Sequence, residues 1–164
     1  MLITVGAMVL LSLVILNVYN GYLINNGVVM NSKFDILAVS LATSIIEDAN
    51  GLAFDQKTTG GHTIIYSSEL SSCGPGSSEY YNSRTDNNFN DFDDYNGLHI
   101  VYNDSTLESA VYDIRCEVGY INDYQPTRFV SNKTWFKRLD VYVSSPSMQD
   151  TVKMSTVMSY FYFR

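Results

Sequence analysis

Chemistry in this chain could reside in only a few residues: two histidines, two cysteines and a cluster of aspartates. His62 lies in a glycine-rich turn and His99 in a strand pattern, and neither belongs to an H-E-x-x-H pair or another metal-ligand spacing. No G-x-S-x-G, P-loop or G-x-G-x-x-G motif occurs. Cys73 and Cys116 form no C-x-x-C pair, and neither has the basic neighbour at a helix start that would make it a nucleophile. The remaining possibility is oxygen chemistry in residues 86–97, DNNFNDFDDYNG, where Asp91, Asp93 and Asp94 are hard ligands of the kind calcium takes. The EF-hand spacing fails there, because Tyr95 holds a ligand position and no Glu closes the loop. A capped, solvated turn is the alternative, calcium is the one cofactor in view, and the chain is expected not to be an enzyme.

The elements that must position these residues begin with a long apolar stretch. Residues 1–32 contain no Asp, Glu, Lys, Arg or His, and MLITVGAMVLLSLVILNV carries polar side chains only at Thr4, Ser12 and Asn17. About 20 such residues span the hydrocarbon core of a bilayer as a helix. No basic n-region precedes the run and no A-x-A-like site follows it, so the segment is expected to be retained rather than removed as a signal peptide. Asn20-Gly21 and Asn25-Asn26-Gly27 are poor helix formers, which predicts a break near residues 20–27. The helix then resumes, with Phe34, Leu37, Leu41 and Ile45 at spacings of three and four, toward an end near Phe54.

Beyond residue 55 the chain reads as loops and then strands. Thr63 to Tyr66 is a short strand candidate among Gly, Ser and Pro turns. Tyr112, Ile114, Cys116, Val118 and Tyr120 alternate with polar residues, Leu139, Val141 and Val143 alternate with Arg138 and Asp140, and segments at 98–103 and 152–163 complete a meander of about four strands. Its apolar face needs a cover, and the amphipathic helix is the long element able to supply one. The expectation is an α+β chain in three parts: 1–27, a membrane or core helix segment; 28–54, an amphipathic helix; and 55–164, a β-sheet head.

The net charge of -7 falls entirely after residue 32, and the one adjacent basic pair, Lys137-Arg138, sits inside a strand pattern, so nucleic acid is not expected as a partner. Two cysteines behind an export-type helix are expected to pair as one disulfide, worth about 3 to 4 kcal/mol, with two buried thiols as the alternative.

A helix apolar in its first half and amphipathic in its second, followed by an antiparallel sheet, resembles the type IV pilin superfamily. The resemblance is carried by MLITVGAMVLLSLVILNVYNGYLINNGVVM and by TWFKRLDVYVSS with VKMSTVMSYF, which is similar to the final hairpin of pilin-like heads. It implies a subunit held in the inner membrane, processed by a prepilin peptidase and moved by a pilus assembly machinery into an extracellular helical homopolymer. Leu2, Ile3, Val5, Met8, Val9, Leu11, Leu13 and Ile15 would form the filament core, while Phe34, Leu37, Leu41 and Ile45 would join helix to head. Gly6, Ala7 and Ser12 would let neighbouring helices approach closely. With Met1 counted as the first mature residue, Val5 stands where the family carries a glutamate, a departure that a minor or tip subunit tolerates. A pseudopilin of a secretion system and a membrane-anchored monomeric binding module are the other readings.

Overall fold

The computed structural model describes residues 2–83, 86–103 and 111–161. One helix, α1 (Leu2–Asn50), runs unbroken for 49 residues, about 73 Å at 1.5 Å per residue. The break expected at residues 20–27 is absent. Gly21 and Gly27 cost helix propensity, but each keeps its N–H, and without a proline the ladder of backbone bonds continues through both. A Cβ at either glycine would meet no atom within 4 Å, so the permissive residues stand on a bare surface.

The two halves of α1 have different surroundings. Residues 3–30 are all exposed, whereas Phe34, Ala38, Ala42, Ile45 and Ala49 are buried against the head at intervals of three and four. Three of those five are alanines at 0% exposure, so the helix backbone approaches the sheet closely.

The sheet is antiparallel and five-stranded: β3 (His99–Asn103), β4 (Val111–Asn122), β5 (Gln125–Val130), β6 (Phe136–Ser144) and β7 (Val152–Ser159), with the order β3-β4-β6-β7 and β5 also paired to β4. β4 is central: β6 lies along one edge, and β3 and β5 take opposite ends of the other. The side chains that alternate in the sequence of β4, Tyr112 through Tyr120, all face the core. α1 crosses this face over β6 and β7. A small hairpin of β1 (Tyr81–Ser83) and β2 (Asp86–Asn87) lies outside the main sheet. β5 escapes the alternation test because it is mostly exposed and contains Pro126, which an edge strand tolerates.

Thr63 to Tyr66 is not a strand. The Ile64 backbone is satisfied by one phenol instead: its N–H donates to Tyr160 Oη at 2.7 Å, and its carbonyl accepts from the same hydroxyl at 3.2 Å. Tyr160 in turn stacks on Trp135, with ring centroids 4.9 Å apart.

Candidate functional site

Just past the end of α1, Ala53 forms a parallel bridge with Asp91, its N–H donating to Asn90 O at 3.3 Å and its carbonyl accepting from Phe92 N at 2.8 Å. Two residues further along each segment stand Asp55 and Asp93, so the bridge sets these carboxylates side by side. Asp55 caps a short 3₁₀ turn, Gln56–Thr58, and Asp91 caps another, Phe92–Tyr95, each through a reciprocal capping box. Opposite them, β6 alternates Lys137, Leu139, Val141 and Val143 onto the buried face, and Lys137 extends into the space between the two aspartates.

The Lys137 ammonium spends its three protons on Phe54 O at 2.9 Å, Asp55 Oδ2 at 3.0 Å and Asp93 Oδ1. Its side chain and that of Asp55 are fully buried, and Asp93 is 1% exposed. The second Asp93 oxygen accepts from Gly74 N at 3.3 Å. Asp55 also accepts from Lys57 N, from the Ser71 amide and hydroxyl, and from Tyr120 Oη, which donates as well to Ser71 O at 2.7 Å.

Burial opposes the charge on Asp55, yet Lys137 and the surrounding donors hold its carboxyl below the usual carboxylate range. Burial likewise opposes the Lys137 charge, and Asp93 and Asp55 outweigh it, so the ammonium is held. For Asp93 burial wins over the pull of Lys137 and the pKa is raised. Asp91, buried beside Asp93 and Asp94, is pushed up to about 8, and Asp94 is raised by burial to about 6. Several carboxylates thus share one lysine, and protonation of Asp91 relieves their repulsion.

This arrangement replaces the calcium loop. Asp91 Oδ1 accepts from the N–H groups of Asp93 and Asp94, Asp94 accepts from Asn90 N and Asp91 N, and Asp93 turns inward to Lys137. The carboxylates are thus engaged by backbone N–H groups, by Lys137 and by one another, and among the described residues no group of three or more His, Cys, Asp or Glu side chains is arranged to hold a metal ion. The solvated turn is corrected too, since Phe92, Asp93, Asp94 and Tyr95 are all buried.

The expected disulfide is also corrected: Cys73 and Cys116 are free thiols, half-buried and buried, as in the alternative reading. Burial pushes both up to about 12, so they are neutral. The link from this loop to the sheet is an amide: Asn96 Nδ2 donates to Cys73 O at 3.3 Å, while its Oδ1 accepts from Val118 N at 3.0 Å. His99 bonds Asp113 at 2.8 Å on the open face of the β3–β4 pair, in a row with Arg115.

Ile3, Val5, Met8, Val9, Leu11, Leu13 and Ile15 are each more than half exposed along the free part of α1, and the side chain of Leu2 lies outside the described residues. Phe34 and Ile45 are buried against the head, with Leu37 and Leu41 half-buried beside them. Lys137 and Asp55 were missed as site residues. The signal for Lys137 was parity, since it shares the odd-numbered face of β6 with three apolar residues; that for Asp55 was the D-x-x-T capping spacing.

One long apolar helix standing on an antiparallel sheet, with a buried lysine clasp at their junction, is a pilin-like architecture of the α+β class. Comparison with known proteins finds no family model, curated protein or solved structure that matches the chain.

Proposed function

We propose that this chain is the structural subunit of a type IV pilus-like extracellular filament, held in the membrane by the first half of α1 before assembly and packed against copies of itself afterwards. The observation that carries this reading is the exposure of residues 3–30, an uncharged and largely apolar surface about 42 Å long that the described part of the head leaves uncovered. Water does not tolerate a patch of that size. Lipid and a bundle of identical helices both do, and a subunit that exchanges one for the other never presents the surface to water. The helix is long and apolar enough to cross a membrane, and small side chains at Gly6, Ala7 and Ser12 favour close helix approach. Ser12 adds no unsatisfied group, since its hydroxyl donates to Met8 O at 2.8 Å. The reading assigns no catalytic role.

Electron microscopy of sheared cell-surface material, combined with mass spectrometry of the subunit, tests the proposal. Filaments composed of this chain support it, and their abundance separates a major subunit from a tip subunit. Recovery of the chain only from the membrane fraction, as a monomer, refutes it in favour of an anchored module.

A further inference from the structure

The clasp brings together, in contact and away from water, the groups that amide condensation requires. Lys137 Nζ touches Asp93 Oδ1, which places Asp93 Cγ one bond beyond the contact, and the same nitrogen lies 3.0 Å from Asp55 Oδ2. All three side chains are sealed, and the rings of Phe54 and Tyr120 lie against the nitrogen at 4.7 and 5.1 Å from their centroids. An ion pair buried to this depth is a poor source of stability, because desolvation offsets the attraction. A neutral covalent link escapes that penalty.

We propose that the head closes an intramolecular isopeptide bond between Lys137 Nζ and Asp93 Cγ, with Asp55 as the catalytic proton carrier. This inference does not depend on the filament reading. The Lys137 ammonium gives one proton to the Asp93 carboxylate, and the lone pair so freed attacks Cγ. As the C–N bond forms, the nitrogen gives a second proton to Asp55. Asp93 Oδ2 becomes the amide oxygen, and the Gly74 N–H, 3.3 Å away, stabilises the charge it carries in the tetrahedral intermediate. Asp93 Oδ1, already carrying the first proton, takes the second from Asp55 and leaves as water, so Asp55 ends as the carboxylate it began.

Contact of the nucleophile with Asp93 Oδ1, one bond from the carbonyl carbon, supplies the proximity that substitutes for chemical activation of the acid. Exclusion of water disfavours the reverse hydrolysis. The carboxylates around Lys137 hold the ammonium at rest, so proton exchange within the clasp precedes attack. The bond therefore forms only after folding has brought residues 55, 93 and 137 together.

The test is intact-mass spectrometry of the full-length chain, extracted in detergent and then denatured. The expected wild-type mass is one water below that of the sequence, with tandem fragmentation of a tryptic digest joining the peptides of Asp93 and Lys137 and showing no cleavage after Lys137. Lys137→Arg is expected at full mass. So is Asp55→Asn, with a native near-ultraviolet signal from Trp135. Wild-type protein at full sequence mass overturns the proposal, as does a water deficit mapped to other residues. A natively folded Asp55→Asn that retains the deficit overturns the role of Asp55.

Discussion

Replacing Leu11 by aspartate tests the division of α1 into a polymerising half and a head-bearing half. Leu11 is 61% exposed and lies more than 20 residues before Phe34, the first buried helix residue, so the substitution should leave the head untouched. In a filament core it removes about 1.5 to 3 kcal/mol of apolar burial. It also places a carboxylate in an apolar layer, at about 2.5 to 3.5 kcal/mol by the membrane-insertion scale. The sum is about 4 to 6.5 kcal/mol per subunit, roughly three to nearly five orders of magnitude in each association step at about 1.4 kcal/mol per tenfold. A lone helix in lipid escapes part of this cost by shifting along its axis until the charge reaches the interface, whereas a helix locked among neighbours cannot shift. Leu11→Asp is therefore expected to abolish filaments while the chain remains in the membrane fraction with a native near-ultraviolet spectrum from Trp135. Leu11→Ile, which conserves volume, should assemble normally. Filaments of normal number and length from Leu11→Asp would refute the reasoning.

Head stability should fall as pH rises from about 4 toward 8. Asp91 binds a proton in the folded chain up to about pH 8, mainly because it is buried, whereas the unfolded chain releases that proton near pH 4. The slope approaches about 1.4 kcal/mol per pH unit, and Asp91→Asn, which keeps the cap acceptor, should remove most of it in urea titrations run across this range. Below pH 4 the trend reverses, because Asp55 and Asp140 have lowered pKa values and their contribution is lost as they protonate. Gly119→Ala should cost about 1 to 3 kcal/mol by overpacking, because a Cβ there would lie 2.7 Å from the Phe129 ring, which itself sits under the Arg138 guanidinium at 4.3 Å. A variant as stable as wild type would show that the ring moves freely. Dithiothreitol should leave the melting temperature unchanged, since Cys73 and Cys116 are free, whereas Asn96→Ala should lower stability by about 1 to 3 kcal/mol by orphaning the Val118 N–H.

The fold was legible where one physical period dominated. The Tyr112-to-Tyr120 alternation and the three-four spacing from Phe34 to Ile45 report one-sided burial directly, and those elements lie on the core. Ala38 was less legible, because a small residue at a close helix–sheet contact carries little hydrophobic signal although its position decides how near the two surfaces come. The acidic loop misled for a different reason. A run of aspartates implies solvent or a cation, and the cation here is Lys137, more than 40 residues away and brought in by strand pairing rather than by local spacing. The cysteines misled because two thiols suggest a bridge, while the actual tie, Asn96, is chemically unremarkable in sequence.

The absence of a break in α1 gives the clasp a mechanical meaning within the filament reading. A helix interrupted at residues 20–27 would absorb axial extension there, but the continuous helix transmits tension from its free half to its far end. Two connections receive it. One is the contact of Phe34, Ala38, Ala42, Ile45 and Ala49 with the sheet, largely apolar and built on small side chains, with hydrogen bonds at its two ends from Tyr112 Oη to Phe34 O at 3.3 Å and from Asn50 Nδ2 to Thr156 Oγ1 at 3.5 Å. The other is the covalent chain through Gly51 to Asp55, where the load meets Lys137 and passes to β6 and its two antiparallel neighbours. Hydrogen bonds of the β4–β6 and β6–β7 ladders share the force along their length, so the narrowest part of the path is the Asp55 carboxylate, held by Lys137 of β6 and the Tyr120 hydroxyl of β4. The Ala53–Asp91 bridge passes part of the load to the segment that holds Asp93, and the proposed bond from Asp93 to Lys137 would carry that part on to β6 covalently.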